Sequence, residues 1–259
     1  MFDALHIAAT GMQAQQQSVD TIANNLANVN TVGFKKSRVS FTDLVSQQVA
    51  LSGAGAAPLA APAQVGAGVA ISSVAKLFDA GDLKQTGSAF DVAIQGDGFL
   101  EVELADGTRG YSRGGTLEVN VDGVLVDAAG NALRPGITVP SDATALVVER
   151  DGRVRISVAD QALPIEAGQL ELVRFPNPGG LVATGTGVYR ASEASGEAIT
   201  GRAGADGMGA VTQGYLEGSN VRMVDEMVSL MVAQRAYEAN VKVIQASDEM
   251  LGMINALRK

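Results

Sequence analysis

Apolar residues recur every three or four positions at both ends of this chain and alternate with polar ones in its middle. The two rhythms predict different structures. From Leu5 the first series runs Leu5, Ala8, Met12, Gln15, Val19, Ile22, Leu26, Val29; near the other end it runs Met223, Met227, Leu230, Gln234, Tyr237, Val241, Ile244, Asp248, Leu251. Such spacing lays one apolar seam along each helix, and a seam of that kind buries itself against a partner helix. The first helix is predicted from Asp3, a favourable N-cap, to about Val29, roughly 40 Å. The second is predicted from Asn220 to about Arg258, roughly 55 Å. Asp225 and Glu226 suit the start of its dipole, and Arg258 and Lys259 suit its end. A helix that long points to a coiled coil or bundle, where polar residues such as Gln234 and Asp248 set register.

Between the helices the signals change. The run Asn24-Asn25-Leu26-Ala27-Asn28-Val29-Asn30-Thr31 ends the first helix in turn-prone residues, and Gly33 permits a sharp change of direction. Val39 to Val49 fits helix and strand equally. Leu51 to Gly68 is nearly all Ala, Gly and Pro without charge, more apolar than a solvated linker, as a segment covered by a neighbouring subunit would be. From Asp91 the period is two: Leu100, Val102 and Leu104 alternate with Glu101 and Glu103, and Leu117, Val119 and Val121 follow suit. Asp122-Gly123 and Asp151-Gly152 supply hairpin turns. The middle is therefore predicted to be an antiparallel barrel or sandwich, closed by the glycine-rich stretch Gly201 to Gly209. The fold class is α+β, with N- and C-terminal α-helices forming a coiled coil around an antiparallel β-rich central domain. The expected divisions are 1–35, a helix; 36–80, an extended or hairpin connection; 81–214, the β-rich outer domain; and 215–259, the second helix.

Charge sharpens this plan. The net charge of −9 over 259 residues leaves the two ends nearly neutral and places most of it in the middle. Neutral ends pack against copies of themselves without repulsion, and an acidic middle excludes a nucleic-acid surface. No apolar run approaches the roughly 20 residues of a membrane span, so direct membrane insertion is not expected. Nor is a secretory signal visible at the N-terminus.

Catalytic chemistry is poorly supplied. There is no Cys and one His, His6, so thiol catalysis and histidine metal sites are excluded or nearly so. No phosphate-binding loop or dinucleotide fingerprint occurs. Carboxylates remain for a hydrolase, with Asp97, Asp106, Glu101, Glu103 and Glu118 in the strand region, but most fall at exposed alternate positions or in turns. No cofactor is expected.

Three stretches together resemble the bacterial flagellar rod and hook protein family. They are Ala23-Asn24-Asn25-Leu26-Ala27-Asn28-Val29-Asn30-Thr31-Val32-Gly33-Phe34, Gln234-Arg235-Ala236-Tyr237-Glu238-Ala239-Asn240, and Asp91-Val92-Ala93-Ile94-Gln95-Gly96-Asp97-Gly98-Phe99. The signature residues are Asn24, Asn25, Asn28, Gly33, Phe34, Gln234, Arg235, Tyr237 and Glu238. Within that family the length is short for a hook subunit, and the segment from Ser46 to Val69 resembles the extra stretch of distal rod subunits; a proximal rod subunit is the alternative. The resemblance implies a non-enzymatic subunit of the basal-body rod in the periplasm. Such a subunit leaves the cell through the flagellar export apparatus without a cleaved signal, and forms a helical homopolymer that lines the channel. Its partners would be copies of itself, proximal rod proteins, the hook protein, and the ring proteins of the peptidoglycan and outer membrane. The residues expected in the polymerisation seam are Leu5, Met12, Val19, Ile22, Leu26, Met227, Leu230, Tyr237, Val241, Ile244 and Leu251. The other classes weighed are a secreted carboxylate hydrolase and a coiled-coil adhesin.

Overall fold

The computed structural model describes residues 2–49, 63–159, 163–185 and 187–257. It is a mixed α/β chain with one helix at each end and a β-rich middle. Its contacts divide it into two compact units.

The first unit holds α1 (Phe2–Ala27), α2 (Met223–Leu257) and the two-stranded sheet of β1 (Ser37–Val49) and β2 (Ala63–Lys76). Asp3 lies in the first turn of α1 rather than capping it, because the helix begins at Phe2. Val39 to Val49 is strand; of the Ala/Gly/Pro-rich stretch, residues 50–62 lie outside the described residues. The helices run antiparallel: Asn25 meets Glu226, and Gly11 meets Asn240. Two seven-residue repeats separate these contacts along each helix, so Ala233 and Ser247, both buried, share the face of Glu226 and Asn240. On α1 the matching positions are Gly11, Ser18 and Asn25, with Ala14 and Thr21 buried beside them. Apart from Ile22 and Glu226, the buried residues of both helices are small or short and polar, which lets the two backbones approach closely.

The second unit comprises Asn28–Lys36 and Lys76–Val221. Gly33 takes φ +67° in the turn after α1, the freedom its sequence context calls for. The main sheet is branched around β5 (Phe99–Glu103). β6 (Arg109–Ser112) pairs with one side of it, and β9 (Ala132–Arg134) and β13 (Glu171–Arg174) pair with successive halves of the strand, all antiparallel. A separate three-stranded sheet joins β10 (Ala143–Val148), β11 (Arg153–Val158) and β12 (Ile165–Gln169). On β11 the burial alternates strictly, with Val154, Ile156 and Val158 inward, as its period-two pattern requires.

One hairpin departs from expectation. β7 (Gly114–Val119) and β8 (Leu125–Asp127) pair antiparallel, but Val121 belongs to the loop and is fully exposed. The Asn120 Oδ1 accepts from the Asp122 and Val124 N–H groups and ends the strand two residues early, so the turn is wider than Asp122-Gly123 alone. Two clusters fill the unit. One is aliphatic and runs through Val92, Leu100, Leu125, Ile137, Ile156 and Leu172. The other is aromatic: Phe78, Phe99, Tyr111, Phe175 and Tyr189 form a chain of edge-to-face pairs at centroid distances of 4.7 to 6.3 Å, with Phe78 against Phe99 and Tyr189.

Candidate functional site

Two features could serve an assembly: the faces of the helix pair, and a buried charge cluster in the second unit where the segments flanking both helices in sequence come together.

The cluster centres on Glu217, at the end of β18 (Tyr215–Glu217), which pairs with β3 (Leu83–Gln85). Its Oε1 accepts from the Lys35 Nζ at 2.7 Å and from the Gly81 N–H at 2.9 Å, and its Oε2 accepts from the Arg113 Nε at 3.0 Å. The Lys35 side chain is 0% exposed and Glu217 2%. Lys35 spends a second donor on the Asp79 carbonyl at 2.7 Å. The Arg113 Nη1 donates to the carbonyls of Gly96 and Gly98, at 2.9 and 2.7 Å, its Nη2 donates to the Ile94 carbonyl and the Glu217 Oε1, both at 3.4 Å, and the guanidinium lies over the Phe99 ring. Every buried charge therefore has a counter-charge and hydrogen bonds, the condition under which burial is tolerated. Around it, the Gly33 N–H donates to the Glu217 carbonyl at 2.8 Å. Asn220 accepts from the Lys36 N–H and donates to the Leu77 carbonyl, both at 2.8 Å. Lys76 donates to the Lys35 carbonyl and sits 4.7 Å from the Phe34 ring centre. Residues 33–36, 76–82 and 217–220 are thus tied into one knot.

Electrostatics follow from this packing. Burial pushes the Glu217 carboxyl upward, but the Arg113 charge and the Lys35 hydrogen bond and charge outweigh it and hold the group below the usual carboxylate range. Burial also lowers the Lys35 ammonium, against the opposing pull of Glu217. Tyr189, buried and then further disfavoured as an anion by the Glu217 charge, is pushed up to about 12.

The residues of the expected seam are divided. Ile22 is buried, and Leu5, Met12, Val19, Leu26, Leu230, Val241, Ile244 and Leu251 are half-buried. Met227 and Tyr237 are exposed, at 46% and 41%. The α1–α2 contact itself uses the small and polar residues of the neighbouring stripe, and Gln234 and Asp248 are exposed. Opposite that contact α2 presents Val224, Val228, Met231, Val232 and Met253 to solvent, with Val224 at 71% and Val232 at 64%. Of the signature residues, Asn25 is buried; its amide donates to Glu226 and to the Ser37 carbonyl and accepts from the Ser37 N–H. Asn28 and Phe34 are half-buried. Asn24, Gln234, Arg235, Tyr237 and Glu238 are on the surface, where Arg235 pairs with Glu238 at 2.9 Å. Sequence reasoning missed Lys35, Arg113, Glu217, Asn220 and Glu226. Their partners lie far away in the chain, and the only local hint was a basic pair following Phe34.

Three of the acids weighed for hydrolysis are engaged in structural contacts. Asp106 accepts from Thr108 in a turn and pairs with Arg190, while Glu101 and Glu103 lie on β5 within reach of Arg109 and Arg134. No described helix is long and apolar enough to cross a membrane.

Comparison with known proteins covers both units. Residues 5–35 match the family described as "Flagella basal body rod protein", residues 93–156 that described as "Flagellar hook protein FlgE/F/G D1 domain", and residues 212–257 that described as "Flagellar basal body rod FlgEFG protein C-terminal". Over 266 aligned residues the chain is 44% identical to the flagellar basal-body rod protein FlgG of Borreliella burgdorferi, covering 100% of both chains. It is 42% identical to that of Agrobacterium fabrum, covering 97% of this chain and 98% of the relative, and 40% identical to that of Buchnera aphidicola subsp. Schizaphis graminum, covering 99% and 100%.

Proposed function

This chain belongs to the flagellar basal-body rod protein family, and we propose that within it the chain is the subunit of the distal rod. Copies polymerise into a hollow helical drive shaft that transmits torque from motor to hook. The helices of neighbouring copies form concentric coiled coils lining the export channel, and the β-rich units form the outer wall in the periplasm. The partners are further copies, the proximal rod proteins, the hook protein, the surrounding ring proteins and the export apparatus that delivers the chain without a cleaved signal. It catalyses nothing, and its work is mechanical.

The observation that carries the polymer is the bare apolar face of α2. A 35-residue helix with Val224, Met231, Val232 and Met253 in solvent lacks the burial from which long helices draw their stability. Neighbouring copies laid along the same axis would cover it. End-to-end similarity to rod proteins supports the place of that polymer in the basal body. The test is electron microscopy of basal bodies from a strain lacking the gene. The distal assignment requires a rod that stops short of the outer ring and bears no hook. A stub ending further in, before the distal segment, would assign the chain to the proximal rod. Complete hook–basal bodies would overturn the reading.

A further inference from the structure

We infer that Asn25 and Glu226 are register-determining residues, the key that allows α1 and α2 to pair in one alignment only. This goes beyond the rod assignment and does not depend on it. Along the contacting faces the side chains are small: Gly11, Ala14, Ser18 and Thr21 on α1, Ala233 and Ser247 on α2. Faces so alike at every seventh position discriminate poorly between registers, because a slip of one repeat sets small residues against small residues again. Two contacts break the degeneracy. The Asn25 Nδ2 donates to the Glu226 Oε2 at 3.2 Å in a buried site, while the same amide holds both the N–H and the carbonyl of Ser37. A one-repeat slip puts Ala233 opposite Asn25 and leaves a buried amide and a carboxylate without each other. The second contact is steric. A Cβ on Gly11 would stand 2.8 Å from the Asn240 Nδ2, so the Asn240 amide occupies space that only glycine leaves free. A slip of one repeat either way sets Asn240 against Ala4 or Ser18, each of which carries that Cβ; the amide can swing aside, so this contact is the softer of the two. A buried polar residue at a heptad seam is the best-attested device for fixing register.

The chain has no native Cys, so engineered pairs report register cleanly. In the full-length chain, Ser18→Cys with Ala233→Cys places thiols opposite each other in the observed register, and Ser18→Cys with Asn240→Cys places them opposite after a slip of one repeat. Mild oxidation and the mobility of the unreduced monomer on a denaturing gel measure each pair. With Asn25 and Glu226 intact, the 18/233 pair should cross-link and the 18/240 pair should not. In an Asn25→Ala/Glu226→Ala background the 18/233 product should fall by roughly tenfold and the 18/240 product should appear. Glu226→Gln, which still accepts a hydrogen bond, should keep the original pattern. Unchanged 18/233 cross-linking in the double variant would show that register is set elsewhere, and so would loss of the 18/233 product with no new cross-link from Ser18→Cys either to Asn240→Cys or, for a slip the other way in the Asn25→Ala background, to Glu226→Cys. Absence of the 18/233 product with both residues intact would overturn the register itself.

Discussion

Replacing Glu217 by Gln leaves Lys35 and Arg113 buried with no counter-charge, and removal of one partner from a buried ion pair destabilises by about 3–5 kcal/mol. Chemical denaturation of the Glu217→Gln chain, followed by a signal from the β-rich unit, should show a loss of that size. A change below about 1 kcal/mol would mean that the cluster is held by its carbonyl hydrogen bonds alone. The same residue sets the acid limit. Because the folded Glu217 titrates lower than an unfolded glutamate, its stabilisation is complete above about pH 4.3 and is lost as pH falls through the lower folded value. The Gln variant should therefore show a shallower loss of stability below pH 4.3 than the parent. Tyr189 acts at the other extreme. Its folded value of about 12 exceeds the ordinary phenol, so its contribution is intact below about pH 10 and disappears as pH rises through 12. Ultraviolet titration of the folded chain should show a phenol ionising near pH 12, and Tyr189→Phe should remove that step while leaving Tyr111, which burial also raises above the ordinary phenol.

At the scale of the helix the question is which face does which work. Ala233 faces α1, whereas Met231 and Val232 face away. Ala233→Leu forces an isobutyl group into a seam of small residues, and overpacking of that kind costs about 1–3 kcal/mol. Val232→Asp or Met231→Asp changes a solvent-facing position, which alters the stability of the single chain by about 0.5 kcal/mol or less. Yet if α2 is covered by neighbouring copies, the aspartate should abolish motility while the chain is still made and exported. Motility plates with circular dichroism of the purified chain separate the two effects, and normal swimming by both aspartate variants would remove α2's outer face from the assembly. The contrast also explains what the sequence hid. Two long helices were legible from their three–four rhythm, and the strands of β5 and β11 from strict alternation. The helix-to-helix face was not, because hydrophobic rhythm gives weight to Met, Leu and Val and passes over Ala233, Ser247 and Gly11. A close backbone approach selects those small residues, while of the expected polymerisation seam Ile22 is buried and Met227 and Tyr237 are exposed in the single chain.

For the whole molecule, continuity along the chain is a poor guide to what folds together. The expected boundary at residue 81 sets the β-rich middle apart from the connection before it, whereas the second unit begins with Asn28–Lys36, resumes at Lys76 and ends at Val221. Composition gave no warning, because the stitches are single long-range pairs: Lys35 with Glu217, Gly33 with the Glu217 carbonyl, and Asn220 with Lys36 and Leu77. A fragment of residues 81–214 retains the whole aliphatic cluster but loses both Lys35 and Glu217, and with Phe78 it loses a ring of the aromatic cluster. It leaves Arg113 buried among carbonyls without its carboxylate, a deficit on the order of 3–5 kcal/mol before the lost aromatic contacts are added. A fragment of residues 28–221 keeps every one of these groups. The longer fragment should therefore unfold in one cooperative transition at a clearly higher denaturant concentration than the shorter, and Glu217→Ala within it, which takes the carboxylate from Arg113, should abolish much of the difference. Equal midpoints for the two fragments would mean that the knot fastens the flanking segments without supporting the sheet. The predicted order instead makes the β-rich unit complete only when residues from both ends of the chain have reached it, so that the segments adjoining the two helices are fixed by the same event that finishes the sheet.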